Sequence, residues 1–262
     1  MGTILDRIIA EKKKEVRVLK EIMDTPIRAT YNRKSFIQIL EHASVISIIA
    51  EFKRASPSKG DLNLHVDPKV QAKMYVDAGA DAVSVLTDRG FFKGSITDLE
   101  EVRSVLEQPI LCKDFIIDKV QIDAAKHAGA DIILLIAAAL DDKQLSDLYE
   151  YALQKDLEVL MEVHDVGEAN RVLRTNNRLI GVNNRNLKTF EVDLAITEQL
   201  APMLKKEDRF LISESGLKTM EDVDRVAKAG ADGILVGETF MTHANPAAAI
   251  SQMRLPLVEV SS

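Results

Sequence analysis

The feature that most constrains the fold of this 262-residue chain is a tetrapeptide that returns three times. Ala-Gly-Ala-Asp occurs at Ala78–Asp81, Ala128–Asp131 and Ala229–Asp232, at intervals of 50 and 101 residues. Those intervals are close to two and four units of roughly 25 residues, the length of one strand, one helix and two short connections. Each copy follows a stretch with helical spacing (KVQAKMYVD, VQIDAAKH, MEDVDRVAK) and precedes a β-rich run (AVSVL, IILLI, GILVG). Glycine suits such a junction because it takes the left-handed conformation that closes a helix at no steric cost. The repeat therefore predicts helix-to-strand turns at a regular period. It is architecture rather than chemistry.

Filling the intervals gives eight strand candidates: Val45–Lys53, Ala82–Thr87, Ile110–Phe115, Ile132–Ile136, Glu158–Val163, Leu179–Asn183, Arg209–Ser213 and Gly233–Gly237. Most are short apolar runs rich in Ile, Leu and Val, as expected of strands covered on both faces. Helical patterns alternate with them, which implies a parallel sheet. Eight units in roughly 220 residues fit an α/β fold of the closed (β/α)8 barrel type, with an open α/β sheet as the alternative. No Gly-x-Gly-x-x-Gly follows the first strand, so the usual dinucleotide-binding signal is missing. Residues 1–44 fall outside the repeat and read as a helical extension packed over a barrel of residues 45–254. Its helix candidates are Thr3–Met23 and Ser35–His42, and Lys12–Lys14 reads as a solvated helix face. The tail, residues 255–262, has no assigned role.

Composition removes several classes of function. With one Cys the chain can make no internal disulfide, and no Cys-rich zinc or iron–sulfur site. Acidic residues outnumber basic ones 41 to 34, for a net charge of −7, so nothing favours nucleic acid in general. Charges run through Met1–Lys20, which excludes a signal peptide there. The apolar run around Ile132–Leu140 is far short of the roughly 20 residues a membrane span requires. The expectation is a soluble cytoplasmic protein, monomeric by default, with no cofactor and no metal.

In a barrel of this type the active site lies at the C-terminal ends of the strands. That rule selects Glu51, Lys53, Arg54 and Ser56 after the first strand, Thr87 and Asp88 after the second, and Lys113 and Asp114 after the third. Glu162 and His164 follow from the fifth strand, Asn183, Asn184 and Arg185 from the sixth, Ser213, Glu214 and Ser215 from the seventh, and Gly237, Glu238 and Thr239 from the eighth. The fourth contributes nothing ionisable. Strand alternation puts Glu51 and Lys53 on one side and sends Cys112 to the side opposite Lys113, as a small buried hydrophobe. Lys113 and Glu162 sit beside apolar strand residues, and ionised groups are rarely buried there without a partner or a function. The segments ISESG and LVGET stand where barrels often bind phosphate through backbone N–H groups, with Ser215, Gly216 and Gly237 allowing close approach. EFKRASPSKG, Glu51–Gly60, adds a loop stiffened by Pro57 that can close over an anion with Ser56 and Lys59.

Taken together these segments resemble the indole-3-glycerol phosphate synthase family, most specifically in IIAEFKRASPSKGDL (Ile48–Leu62). CKDFIID, LMEVHD, IGVNNRNL, ISESG and LVGETFM match further strand-end motifs of that family. The resemblance implies ring closure of 1-(2-carboxyphenylamino)-1-deoxyribulose 5-phosphate with loss of CO2 and water. It makes Lys113 the general acid at the carbonyl and Glu162 the acid–base partner in dehydration. Glu51 and Lys53 would arrange the substrate carboxylate and ring, assisted by Asn183 and Arg185, and Glu214 would meet the sugar hydroxyls. Ser56, Ser215, Gly216, Gly237 and Glu238 would surround the phosphate, and Phe92 and Phe115 would sandwich the aromatic ring. Some members carry Lys where this chain has Ala55, which leaves Lys59 as the loop cation. A desolvated Lys113 is expected to have a lowered pKa, while the net direction for Glu162 is left open. Rival readings are a phosphoribosylanthranilate isomerase, a Schiff-base aldolase on Lys113 and a non-catalytic binding barrel. The isomerase's Cys is not matched by Cys112, which faces the wrong way.

Overall fold

A computed structural model describes residues 3–22, 31–205 and 208–257. Met23 and residues 258–262 of the tail lie outside the described residues. All eight expected strands form, with edges within two residues of those read from sequence. They are β1 Ser47–Phe52, β2 Ala82–Leu86, β3 Ile110–Lys113, β4 Ile132–Ile136, β5 Glu158–Val163, β6 Leu179–Asn183, β7 Phe210–Glu214 and β8 Gly233–Val236. Each pairs in parallel with its sequence neighbours, and β8 pairs back onto β1 to close the barrel. The fold is thus the (β/α)8 barrel, and the open sheet is excluded.

The helices are α1 Ile4–Ile22, α2 Phe36–Glu41, α3 Pro68–Asp77, α4 Ile96–Arg103, α5 Lys119–Ala128 and α6 Asp142–Gln154. They continue with α7 Val166–Val172, α8 Ala195–Leu204, α9 Met220–Lys228, α10 Glu238–Thr242 and α11 Pro246–Met253. Asp118, Asp141 and Thr219 open α5, α6 and α9 with reciprocal capping boxes, which satisfy amides that a helix start leaves free.

The repeated tetrapeptide has a clear physical role. Gly79, Gly129 and Gly230 all take positive φ, as the helix-to-strand turn requires. The Asp that follows each Gly by two residues reaches sideways to a neighbouring strand. Asp81 accepts the Ile48 N–H, Asp131 the Ile110 N–H and Asp232 the Leu211 N–H. Each of these carboxylates also meets a cation, from Arg254, Arg103 and Lys205 respectively. The motif therefore ties the entry of one strand to the start of the next at the N-terminal end of the barrel.

Strand alternation divides the core into two shells. Ile49, Ala82, Leu111, Ile132, Leu134, Leu160, Leu179, Ile212 and Leu235 point inward and fill the barrel. Cys112 packs instead with Val83, Val85, Ile110 and the helices, the outward side expected for it. At the bottom, Phe36 and Leu40 of α2 close the barrel interior. The Glu158 carboxylate holds that helix in place by accepting the Phe36 and Ile37 amides.

The structure adds one feature to the sequence reading and corrects another. The start of the tail is structural: Leu255 and Leu257 exchange backbone hydrogen bonds with Ile46 and Ser44, and Pro256 bridges antiparallel to Val45. Lys12 is not on a solvated face. Only 2% of it is exposed, because α1 lies over the top of the barrel and the ammonium meets Asp88 at 3.0 Å and Asp114 at 2.8 Å. Lys13 and Lys14 are exposed as expected. Among the described residues no helix is long and apolar enough to cross a membrane.

Candidate active site

The C-terminal end of the barrel opens into a cavity of about 680 Å³. Every residue to which the resemblance gives a role lines it: Glu51, Lys53, Ser56, Lys59, Phe92, Lys113, Phe115, Glu162, Asn183, Arg185, Glu214, Ser215, Gly216, Gly237 and Glu238. Of the other strand-end candidates, Arg54 turns to Asp98, Asp88 to Lys12, and Asn184 and Ser213 bond each other, so none of these reaches the cavity, and neither do Thr87 and His164. Sequence reasoning missed the apolar part of the lining. Leu134 and Ile136 of β4 and Ile4, Leu5 and Ile8 of α1 face the same space. The spacing of Ile4 and Ile8 on one helix face was the available signal.

The floor is a buried ionic cluster. Lys113, at the end of β3, places its Nζ 2.6 Å from Glu214 Oε2 of β7 and 3.4 Å from Glu162 Oε2 of β5. Asn183, at the end of β6, donates from Nδ2 to Glu162 Oε1 at 3.2 Å. Its Oδ1 accepts the Ser215 hydroxyl and the Arg185 N–H. Glu51 of β1 pairs with Lys53 at 2.8 Å, on the shared face that alternation predicts. Two glycines leave room for these carboxylates. A Cβ on Gly181 would collide with Glu214 Oε1, and one on Gly237 with Glu51 Oε1.

Around this floor runs a polar rim. Arg185 and Lys59 both approach Glu238, at 3.5 and 3.4 Å. Ser215 and Gly216 both take positive φ; for Ser215 that is a strained conformation. Residues Ala55–Ser56 pair antiparallel with Gly60–Asp61, so the loop carrying Pro57, Ser58 and Lys59 is a small hairpin at the mouth. Phe92 and Phe115 line the opposite side with ring centroids 6.0 Å apart and planes tilted by 35°. Stacking a third ring between them takes roughly 7 Å. In this structure the two rings form one aromatic wall.

His164 is a member of the cluster to which sequence reading gave no role. Its Nε2 lies 3.3 Å from Glu162 Oε1, and its Nδ1 lies 3.0 Å from Glu168 of α7. The same Glu168 carboxylate also accepts the His164 backbone N–H, which fixes the ring's position.

The electrostatics of the floor differ from expectation in one respect. Burial pulls the Lys113 pKa down, but Glu214, Glu162 and Glu51 together outweigh it and hold the value above that of an ordinary lysine. The lowered pKa expected from desolvation alone is therefore wrong, because three carboxylates converge on one ammonium. For Glu162 burial acts upward, yet Lys113, His164 and Asn183 hold the carboxyl well below its usual range. Glu51 is lowered in the same way by Lys53 and Lys113, against its burial. Glu214 goes the other way. Burial pushes it up to about 7, and Lys113 compensates only in part because Glu162 and Glu51 repel its charge. Burial would lower the His164 pKa, but Glu162 and Glu168 raise it to about 10, so the imidazolium persists at neutral pH. Glu214 Oε1 is buried against Gly181 and has no hydrogen-bond partner among the described residues.

A family model described as indole-3-glycerol phosphate synthase matches residues 5–253. Proteins named indole-3-glycerol phosphate synthase from Bacillus cereus (strain AH820) and Bacillus anthracis (strain A0248) are each 55% identical over 245 residues, covering 94% of this chain and 95% of each relative. Among solved structures, 3-hexulose-6-phosphate synthase from Salmonella typhimurium superposes with a TM-score of 0.62 at 14% identity, covering 79% of this chain and 96% of that one. Thiamine phosphate pyrophosphorylase from Pyrococcus furiosus gives 0.59 at 14% identity, covering 80% and 94%. At such low identity these two share the fold alone. Matched along nearly its whole length by one family model and by relatives that share more than half its residues, the chain belongs to the indole-3-glycerol phosphate synthase family.

Proposed function

We propose that this chain converts 1-(2-carboxyphenylamino)-1-deoxyribulose 5-phosphate into indole-3-glycerol phosphate, CO2 and water, as a carboxy-lyase of tryptophan biosynthesis. The ring carbon that bears the carboxylate attacks the ketone carbon, and the ketone oxygen takes a proton from Lys113. The bond to the carboxylate then breaks, its electron pair restores the aromatic ring, and CO2 leaves. Finally the new hydroxyl departs as water and the adjacent CH2 loses a proton. Glu162, held ionised, moves that proton from carbon to the departing hydroxyl. One solvent proton recharges Lys113. The sequence is redox-neutral and involves no hydride or electron transfer, so it requires no cofactor.

The observation that carries this reading is the Lys113 ammonium, fixed between Glu214 and Glu162 on the floor of the cavity. A general acid must hold its proton until the reacting oxygen arrives, and this environment holds it there. Lys53, held in place by Glu51, receives the substrate carboxylate and the pair orients the ring, with Asn183 and Arg185 assisting. Glu214, which lines the cavity, meets the sugar hydroxyls. Ser56, Ser215, Gly216, Gly237 and the Glu238 N–H surround the phosphate, and Lys59 and Arg185 supply its counter-charge.

A Schiff-base reading of Lys113 is disfavoured by the same environment, because a protonated amine has no free electron pair. Incubating the purified protein with the substrate in the presence of borohydride separates the two. The proposal expects one CO2 per indole product and an unchanged protein mass. A reduced adduct on Lys113 overturns it. We further propose that the protein acts as a cytoplasmic monomer that binds no nucleic acid.

A further inference from the structure

We infer that Lys12 is a positioning residue for the aromatic wall of the site, through which α1 sets the placement of both Phe92 and Phe115. The inference rests on the reading above, that this wall receives the substrate ring. Lys12 lies in the N-terminal helix, far in sequence from every strand end, yet its ammonium is almost fully buried. It meets three carboxylates: Glu15 at 2.7 Å in its own helix, Asp88 at 3.0 Å and Asp114 at 2.8 Å.

The two distant carboxylates are the ones that hold the aromatic residues. Asp88 follows β2, and its Oδ1 accepts the backbone N–H groups of Phe91 at 2.7 Å and Phe92 at 3.2 Å. Asp114 follows β3, and its Oδ1 accepts the backbone N–H of Phe115 at 2.7 Å, while its Oδ2 accepts the Thr87 hydroxyl at 2.6 Å. One cation thus bridges the buried Asp88 and the half-buried Asp114, which would otherwise repel each other, and these acids fix the backbone at Phe92 and Phe115. Charge-assisted hydrogen bonds of this kind are short and directional. With the cation gone, the Asp88 and Asp114 carboxylates have reason to separate, and that movement shifts the Phe amides they hold. The same helix turns Ile4, Leu5 and Ile8 to the cavity, so α1 both covers the ring site and sets its wall.

Titration calorimetry with two ligands tests this. One is the substrate with its ketone reduced to an alcohol, which keeps the ring and the phosphate but cannot react. The other is inorganic phosphate, which touches only the rim. Lys12→Met is expected to weaken the reduced substrate at least tenfold and to change phosphate affinity less than twofold. Equal loss of both ligands shows a general structural role and overturns the inference, as does wild-type affinity for both. Should Lys12→Met lose its cooperative melt, Lys12→Gln keeps an N–H donor and carries the same comparison. Phe92→Ala and Phe115→Ala serve as references. If they bind the reduced substrate like wild type, the reading of the wall itself fails. If they weaken it and the Lys12 variants do not, only the inference about Lys12 fails.

Discussion

Lys113 illustrates how burial and neighbours compete at a single residue. Desolvation would make it a weak base with a loose proton, but three carboxylates converge on it and keep it charged. Lys113→Ala and Glu162→Gln are each expected to cut turnover on the order of 10² or more, with thermal melting retained; steady-state rates paired with a melt check this. Wild-type-like activity in either variant refutes the assigned role. Glu214 gives a pH signature. Its folded-state pKa is raised to about 7, so it binds a proton below that value and offers a full negative charge to Lys113 and the substrate hydroxyls only above it. The pH profile of kcat/KM, which reports free-enzyme ionisations, should therefore rise through about 7. That limb should be absent in Glu214→Gln. Its persistence there assigns it to another group.

At the scale of elements, the strands were legible because a parallel barrel strand is a short apolar run between a left-handed glycine turn and a capped helix. The Asp of each repeat could be read as turn chemistry, but not as a tether. Its partners Ile48, Ile110 and Leu211 belong to neighbouring strands, and no local pattern connects them. The misreading of Lys12 has the same cause. A run of three lysines on a helix is normally solvated, and only the docking of α1 onto the strand ends brings Asp88 and Asp114 to the first of them. Helix α2 supplies a prediction. Phe36 is fully buried in the barrel bottom, so Phe36→Ala should cost about 3–5 kcal/mol in urea denaturation. Turnover at 25 °C should be unchanged, because the cavity lies at the other end. A matching fall in turnover contradicts that separation.

Across the whole molecule, one end of the barrel carries its ties and the other its chemistry. Repeated Asp tethers, α2 and the start of the tail close the N-terminal end, while ionisable strand ends and the loops that carry Gly216 and Gly237 surround the cavity. The polar half of the site was readable because the barrel rule selects strand ends and alternation selects the inward residue. The apolar half was not, since Leu134 and Ile136 look like any core residue and α1 lies outside the repeat. His164 was visible at a strand end, but its link to Glu162 and Glu168 needs the fold. The chain contains no Trp and only four Tyr, so it has no indole emission of its own. The most direct test is therefore to mix the purified protein with 1-(2-carboxyphenylamino)-1-deoxyribulose 5-phosphate and follow indole fluorescence. A rise that matches substrate consumption in the wild type, and that Lys113→Ala slows on the order of 10² or more, is the result predicted; a flat trace from the folded wild-type protein contradicts the proposed reaction.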